Sequence, residues 1–106
     1  MELQIDVFVK PEPKSKADGP ECRQCILTER VFTDKGVTFN RHVLDDESAS
    51  ILRERGFGSA PVVLITDLDL RDDKTVIDPL GGDGYLGGWA GFQPLRINEL
   101  VLQVNQ

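Results

Sequence analysis

Both cysteines of the chain fall in one short stretch, Gly19-Pro20-Glu21-Cys22-Arg23-Gln24-Cys25, separated by two residues at the expected start of a helix. Three chemistries fit a C-x-x-C in that setting. A thiolate at a helix N-terminus is stabilised by the partial positive charge of the helix end. One cysteine can then act as a nucleophile while the other resolves the mixed disulfide. The pair can also be half of a zinc site, which needs two further ligands; His42 is the single histidine, so a carboxylate would have to complete an uncommon set. The third reading is a structural disulfide or two ordinary thiols, and a disulfide across two residues closes too small a loop to restrict the unfolded chain much.

The elements that must position this pair follow from the pattern around it. Leu3, Ile5, Val7 and Val9 alternate with Gln4, Asp6 and Phe8, which predicts a first strand with one well-buried face. Residues 10–21 carry Pro11, Pro13, Gly19 and Pro20 among charges and predict a loop overhanging the cysteines. From Cys22 to Lys35 the spacing predicts a helix that puts Cys25, Thr28 and Phe32 on one face, with Leu27 and Val31 beside it. Gly36 supplies its left-handed stop. Cys22 is then the exposed member of the pair and Cys25 lies one turn in, so Cys22 is expected to attack and Cys25 to resolve. Arg23 and the helix end would favour the Cys22 thiolate.

Val37 to Leu44 predicts a second strand, in which His42 is read as a surface or half-buried residue for want of a partner cluster. Asp45-Asp46-Glu47 at one end and Arg53, Arg55 and Gly56 at the other frame a short second helix over 46–55, with Ala49, Ile51 and Leu52 as a thin apolar face. Val62 to Ile65 is a continuous apolar run, expected to be a strand buried on both faces and opened by Pro61; taken alone, an X-Pro bond there is expected to be trans. Residues 66–74, rich in aspartate, are read as an extended hairpin loop leading to a fourth strand at Thr75-Val76-Ile77, since their spacing is not that of a calcium loop. Residues 79–91 hold a run of glycines without a following Lys-Ser or Lys-Thr, so a phosphate loop is set aside. They are expected to form a second extended loop around Trp89 and Phe92, two aromatics that suit either the core or a contact surface. Pro94 opens a last helix whose apolar side is Leu95, Ile97, Leu100, Val101 and Val104.

At 106 residues, 40% apolar and 28% charged, the chain is a single domain, 1–106, with the composition of a soluble protein. The formal charge of −6 with no basic stripe argues against nucleic acid. No apolar run approaches a membrane span, and no basic, cleavable leader precedes the first strand, so a cytoplasmic protein is expected. In a reducing compartment both cysteines return to thiols between turnovers.

The order strand, helix, strand, helix, strand, strand, helix (βαβαββα) with C-x-x-C opening the first helix resembles the thioredoxin/glutaredoxin-like fold. That is an α/β fold, a four-stranded mixed sheet with three helices. Within it the chain most resembles the NrdH-type redoxins. The matching pieces are Val7-Phe8-Val9-Lys10-Pro11, Cys22-Arg23-Gln24-Cys25 with Thr28, Gly56-Phe57, Ala60-Pro61-Val62-Val63 and Trp89-Ala90-Gly91-Phe92-Gln93-Pro94. The resemblance implies a small dithiol electron carrier without a cofactor or metal, reduced by thioredoxin reductase and passing electrons to a ribonucleotide reductase. Cys22 becomes the attacking thiolate and Cys25 the resolving thiol. Pro61 becomes a cis-proline facing them, Ser59, Ala60 and Pro61 the loop that receives a partner's backbone, and Trp89 and Phe92 the aromatic segment near the site. Extra residues between Pro11 and Gly19 depart from the family pattern, as do the long 66–74 and 79–91 loops. A monomer is the expectation for a carrier that meets two partners in turn. The alternatives are a glutathione-dependent glutaredoxin, disfavoured because Trp89-Ala90 follows Gly87-Gly88 where that group carries acidic residues, and a non-catalytic protein-binding module of the same fold.

Overall fold

A computed structural model describes residues 3–11, 22–67, 79–81 and 85–104. The bulk of the 10–21 loop, most of the 66–74 loop and the strand expected at Thr75-Val76-Ile77 lie outside the described residues. Among the described residues eight elements follow one another: β1 (Leu3–Val9), α1 (Arg23–Asp34), β2 (Asn40–Val43), α2 (Asp46–Glu54), β3 (Val62–Asp67), a 3-10 turn (Pro79–Gly81), β4 (Tyr85–Ala90) and α3 (Pro94–Val104).

The strands form one mixed sheet in the order β2-β1-β3-β4. β1 runs parallel to β2 and antiparallel to β3, and β3 is antiparallel to β4. This is the α/β architecture expected from the order of the elements, with four strands and three helices.

Each face of the sheet has its own core. On one, Ile5, Val7, Val9, Val63 and Trp89 pack with Cys25 and Phe32 of α1 and Ile97 and Leu100 of α3. On the other, Phe8, Val62 and Leu64 meet Leu52 of α2. β1 is therefore buried on both faces, not one: Gln4, Asp6 and Phe8 are as enclosed as the residues between them. A sheet sandwiched between helices leaves its inner strands no wet side, and Gln4 and Asp6 are the polar residues of β1 this traps, Asp6 with no exposed surface at all.

The helix boundaries follow the local signals. Asp45 caps α2: its Oδ1 accepts from the Ser48 N–H at 2.7 Å, and the Asp45 N–H returns a bond to Ser48 Oγ at 3.0 Å. Both α1 and α2 end on a glycine with positive φ, Gly36 at 73° and Gly56 at 94°. The following N–H in each case, of Val37 or Phe57, closes on the carbonyl of Phe32 or Leu52. Along α3, Ile97 and Leu100 are buried and Val101 and Val104 half-buried, whereas Leu95 projects from the surface at 77% exposure, against the apolar face expected for it.

The glycine stretch is the main departure. Tyr85–Ala90 is not loop but a strand, at the edge of the sheet among the described residues, paired to β3 as Trp89 with Val63, Gly88 with Leu64 and Gly87 with Ile65, with an irregularity in register at Ile65/Thr66. Gly88 has a reason to lack a side chain: a Cβ there would run into the Val63 carbonyl and lie 3.0 Å from Leu64 Cδ2.

Candidate active site

Cys22 is the N-cap of α1, in extended backbone (φ −78°, ψ 95°), and its Sγ accepts the Cys25 N–H at 3.3 Å. An N-cap sulfur takes one of the backbone donors that the helix start leaves open. It also sits where the helix field favours negative charge. The two cysteines form a disulfide with Cα atoms 5.3 Å apart. Cys22 is half-buried and Cys25 is 4% exposed, packed into the α1/α3 core. The pair thus has one sulfur at the surface and one beneath it. Among the described residues no cluster of three potential metal-ligating side chains forms.

A groove of about 800 Å³ opens over Cys22. One wall carries Ser59 and Ala60; Ser59 is exposed, and the Ala60-Pro61 peptide bond is cis. The cis isomer agrees with the family resemblance and departs from the trans expectation for an isolated X-Pro bond. Pro61 is itself buried, with its carbonyl bonded to the Gly91 N–H at 2.7 Å. Arg23 stands exposed on the groove next to Cys22. α2 and the turn after it also line the groove, with Leu52, Arg53 and Phe57.

Trp89 is a core residue and does not offer a contact surface: only 4% of it is exposed, in the cluster that also holds Cys25. Its place on β4 opposite Val63 turns it inward. Phe92 is half-buried and is not among the residues lining the groove; its N–H donates to Gln24 Oε1 at 3.1 Å. Gln24 thereby ties the C-x-x-C turn to the segment that precedes α3. The spacing of the cysteines marks Gln24 as an inner residue of the motif, but nothing in the sequence assigns it a partner 68 residues on. Lys10, Leu44, Arg53 and Phe57 are further groove residues that no motif singles out as such.

The lone histidine has partners too. His42 Nε2 lies 2.8 Å from Asp6 Oδ1, and its ring stacks on Phe8 with centroids 4.6 Å apart. Gln4 Nε2 donates to Asp6 Oδ2 at 2.8 Å and Asn40 Nδ2 to Oδ1 at 3.3 Å. This network occupies the face of β1 away from the cysteine cluster, and His42 is half-buried, as expected.

No family model matches the chain. The glutaredoxin-like protein NrdH of Escherichia coli K12 is 32% identical over 82 residues, 76% of this chain and 78% of that protein. The chain belongs to the glutaredoxin-like NrdH family. The NrdH of Salmonella typhimurium is similarly related, 31% identical over 81 residues, 74% of this chain and 76% of that protein. The solved NrdH-redoxin from Escherichia coli, a glutaredoxin-like protein with a thioredoxin-like activity profile, superposes with a TM-score of 0.58 at 26% identity. That match covers 92% of this chain and 93% of the other. The thioredoxin of Malassezia sympodialis, at 14% identity and a TM-score of 0.52, shares the fold. The chain is thus an NrdH-like, glutaredoxin-type redoxin with a Cys-x-x-Cys pair, and no helix among its described residues is long and apolar enough to cross a membrane.

Proposed function

We propose that this NrdH-like chain is a thiol-disulfide oxidoreductase, a small electron carrier in which Cys22 attacks and Cys25 resolves. The observation that carries the reading is the placement of Cys22 at the N-cap of α1 over an open groove, with Cys25 buried beneath it. In the reduced protein the Cys22 thiolate attacks one sulfur of a substrate disulfide; that bond breaks, and the far sulfur leaves as a thiolate and takes a proton from water. The Cys25 thiolate then attacks Cys22 Sγ, having lost its proton to solvent. The second substrate sulfur departs, and the carrier is left as the Cys22–Cys25 disulfide, two electrons poorer. Arg23 favours the thiolate at Cys22, and Ser59, Ala60 and Pro61 receive an extended partner segment beside it. Phe92 is tied to the C-x-x-C turn through Gln24, while Trp89 packs in the same core cluster as Cys25.

Thioredoxin reductase is the proposed reductant and ribonucleotide reductase the proposed acceptor, in a cytoplasmic, monomeric carrier that needs no cofactor. The family membership and the thioredoxin-like activity profile of the Escherichia coli relative support this over glutathione. So does Gly87-Gly88, which lies within β4 and is followed by Trp89-Ala90, not by carboxylates. The test is NADPH consumption with a disulfide substrate, comparing thioredoxin reductase with glutathione plus glutathione reductase. Turnover only with thioredoxin reductase, lost in Cys22→Ser, is expected. Turnover only with glutathione overturns the assignment of the reductant.

A further inference from the structure

The charges around the groove run against those of the whole chain. With 18 acidic and 12 basic residues the protein is net negative, yet Lys10, Arg23 and Arg53 all border the groove over Cys22, and no aspartate or glutamate is among its described lining residues. The three come from separate elements: the end of β1, the first turn of α1 and the last turn of α2. All are exposed, and none forms an ion pair with a described residue. Arg53 makes only a long contact, 3.4 Å, from Nε to the Ala49 carbonyl of its own helix. Of the other described cations, Arg41 pairs with Glu29 at 2.7 Å, and Arg55 binds the carbonyls of Pro79 and Leu80. Alongside these cations the groove is lined by apolar Leu44, Phe57 and Val62 as well as by Gln24 and Ser59.

We propose that this groove selects protein disulfides set in acidic, partly apolar segments, with Lys10, Arg23 and Arg53 taking carboxylates that flank the reacting cysteine. The inference rests on the redox reading above and adds to it the class of substrate. Apolar side chains and cations lining one groove together fit a polypeptide better than a simple anion, which would leave Leu44 and Phe57 uncovered. Complementary charge of this kind acts mainly on the rate of productive encounter. An acidic body with a basic mouth also orients an acidic partner towards Cys22.

The test is single-turnover reduction of synthetic peptide disulfides by the pre-reduced protein. Two peptides are compared, identical except for Glu or Gln on either side of the cysteine, with hydroxyethyl disulfide as a neutral control. The Glu peptide is expected to react about tenfold faster at low ionic strength, with the ratio falling towards one as salt is raised. In Lys10→Gln and Arg53→Gln the Glu-to-Gln ratio, taken within each variant, drops about threefold each. Lys10→Glu with Arg53→Glu reverses it. A ratio within about twofold of one in the unaltered protein, or a ratio indifferent to these substitutions, overturns the inference while leaving the redox reading intact. Failure to reduce any of the three disulfides overturns the redox reading itself.

Discussion

Replacing His42 by phenylalanine keeps a ring to stack on Phe8 and removes the nitrogen that meets Asp6. The Asp6 carboxyl has no exposed surface and three partners, Gln4 and His42 at 2.8 Å and Asn40 at 3.3 Å. Hydrogen bonds to a charged group contribute about 1.5–3 kcal/mol, more than neutral ones, because the lost partner leaves a desolvated charge. The His42 side chain is 36% exposed, so water reaches part of the gap it would leave, and the lower end of that range applies. His42→Phe is therefore expected to cost about 1.5 kcal/mol, or about 6–12 °C in Tm for a domain of this size. Urea unfolding of the oxidised protein measures it, with the slope against denaturant unchanged. The decisive form is a double-mutant cycle with Asp6→Val, which preserves bulk but removes the acceptor; there His42→Phe should cost about 1 kcal/mol less. A loss below about 0.5 kcal/mol, or the same loss in both backgrounds, would refute the argument that the pair carries the energy.

Further tests concern the scaffold of the groove. Gly88→Ala would push a methyl into the Val63 carbonyl, which a central strand cannot withdraw, so about 1–3 kcal/mol of stability should be lost. Gly87→Ala, with nothing within 4 Å of the added Cβ, should change stability by no more than about 0.5 kcal/mol by the same unfolding assay. Leu52→Ala empties the one fully buried apolar site of α2, at about 3 kcal/mol, and should raise KM for peptide disulfides because α2 forms a wall of the groove. Calorimetry and steady-state kinetics read the two effects. Asp45 is held below its ordinary value of 3.8, first by the Ser48 N–H and then by the Ser48 hydroxyl. Its folded pKa is thus lower than its unfolded one, and its contribution is complete above the ordinary value and lost as pH falls through the folded one. In acid titrations the stability difference between the protein and Asp45→Asn should shrink below pH 3.8, not above it.

Much of the site was legible because its signals are local. A C-x-x-C at a helix start, Gly36 and Gly56 as stops, and the acidic N-terminus of α2 each depend on residues a turn or less apart. β4 was not legible, since Gly87 and Gly88 have little strand preference of their own and take their conformation from pairing with β3. Gly88 is required there by a backbone approach that only the assembled sheet reveals. The second buried face of β1 depends in part on Leu52 of α2 packing with Phe8, and the Asp6–His42 contact on the parallel register that sets Phe8 beside His42. The cationic groove is a third case: Lys10, Arg23 and Arg53 are spread over the chain and meet only through the fold.

The proposed exchange divides the labour between Cys22, which attacks, and Cys25, which resolves. Incubating reduced Cys25→Ser with a peptide disulfide, and mapping the product by mass spectrometry, tests it most directly. A stable mixed disulfide on Cys22, formed at neutral pH, is expected, with none accumulating on Cys25 in the reciprocal Cys22→Ser protein. No adduct on Cys22, or an equal adduct on Cys25 in Cys22→Ser, would contradict this division.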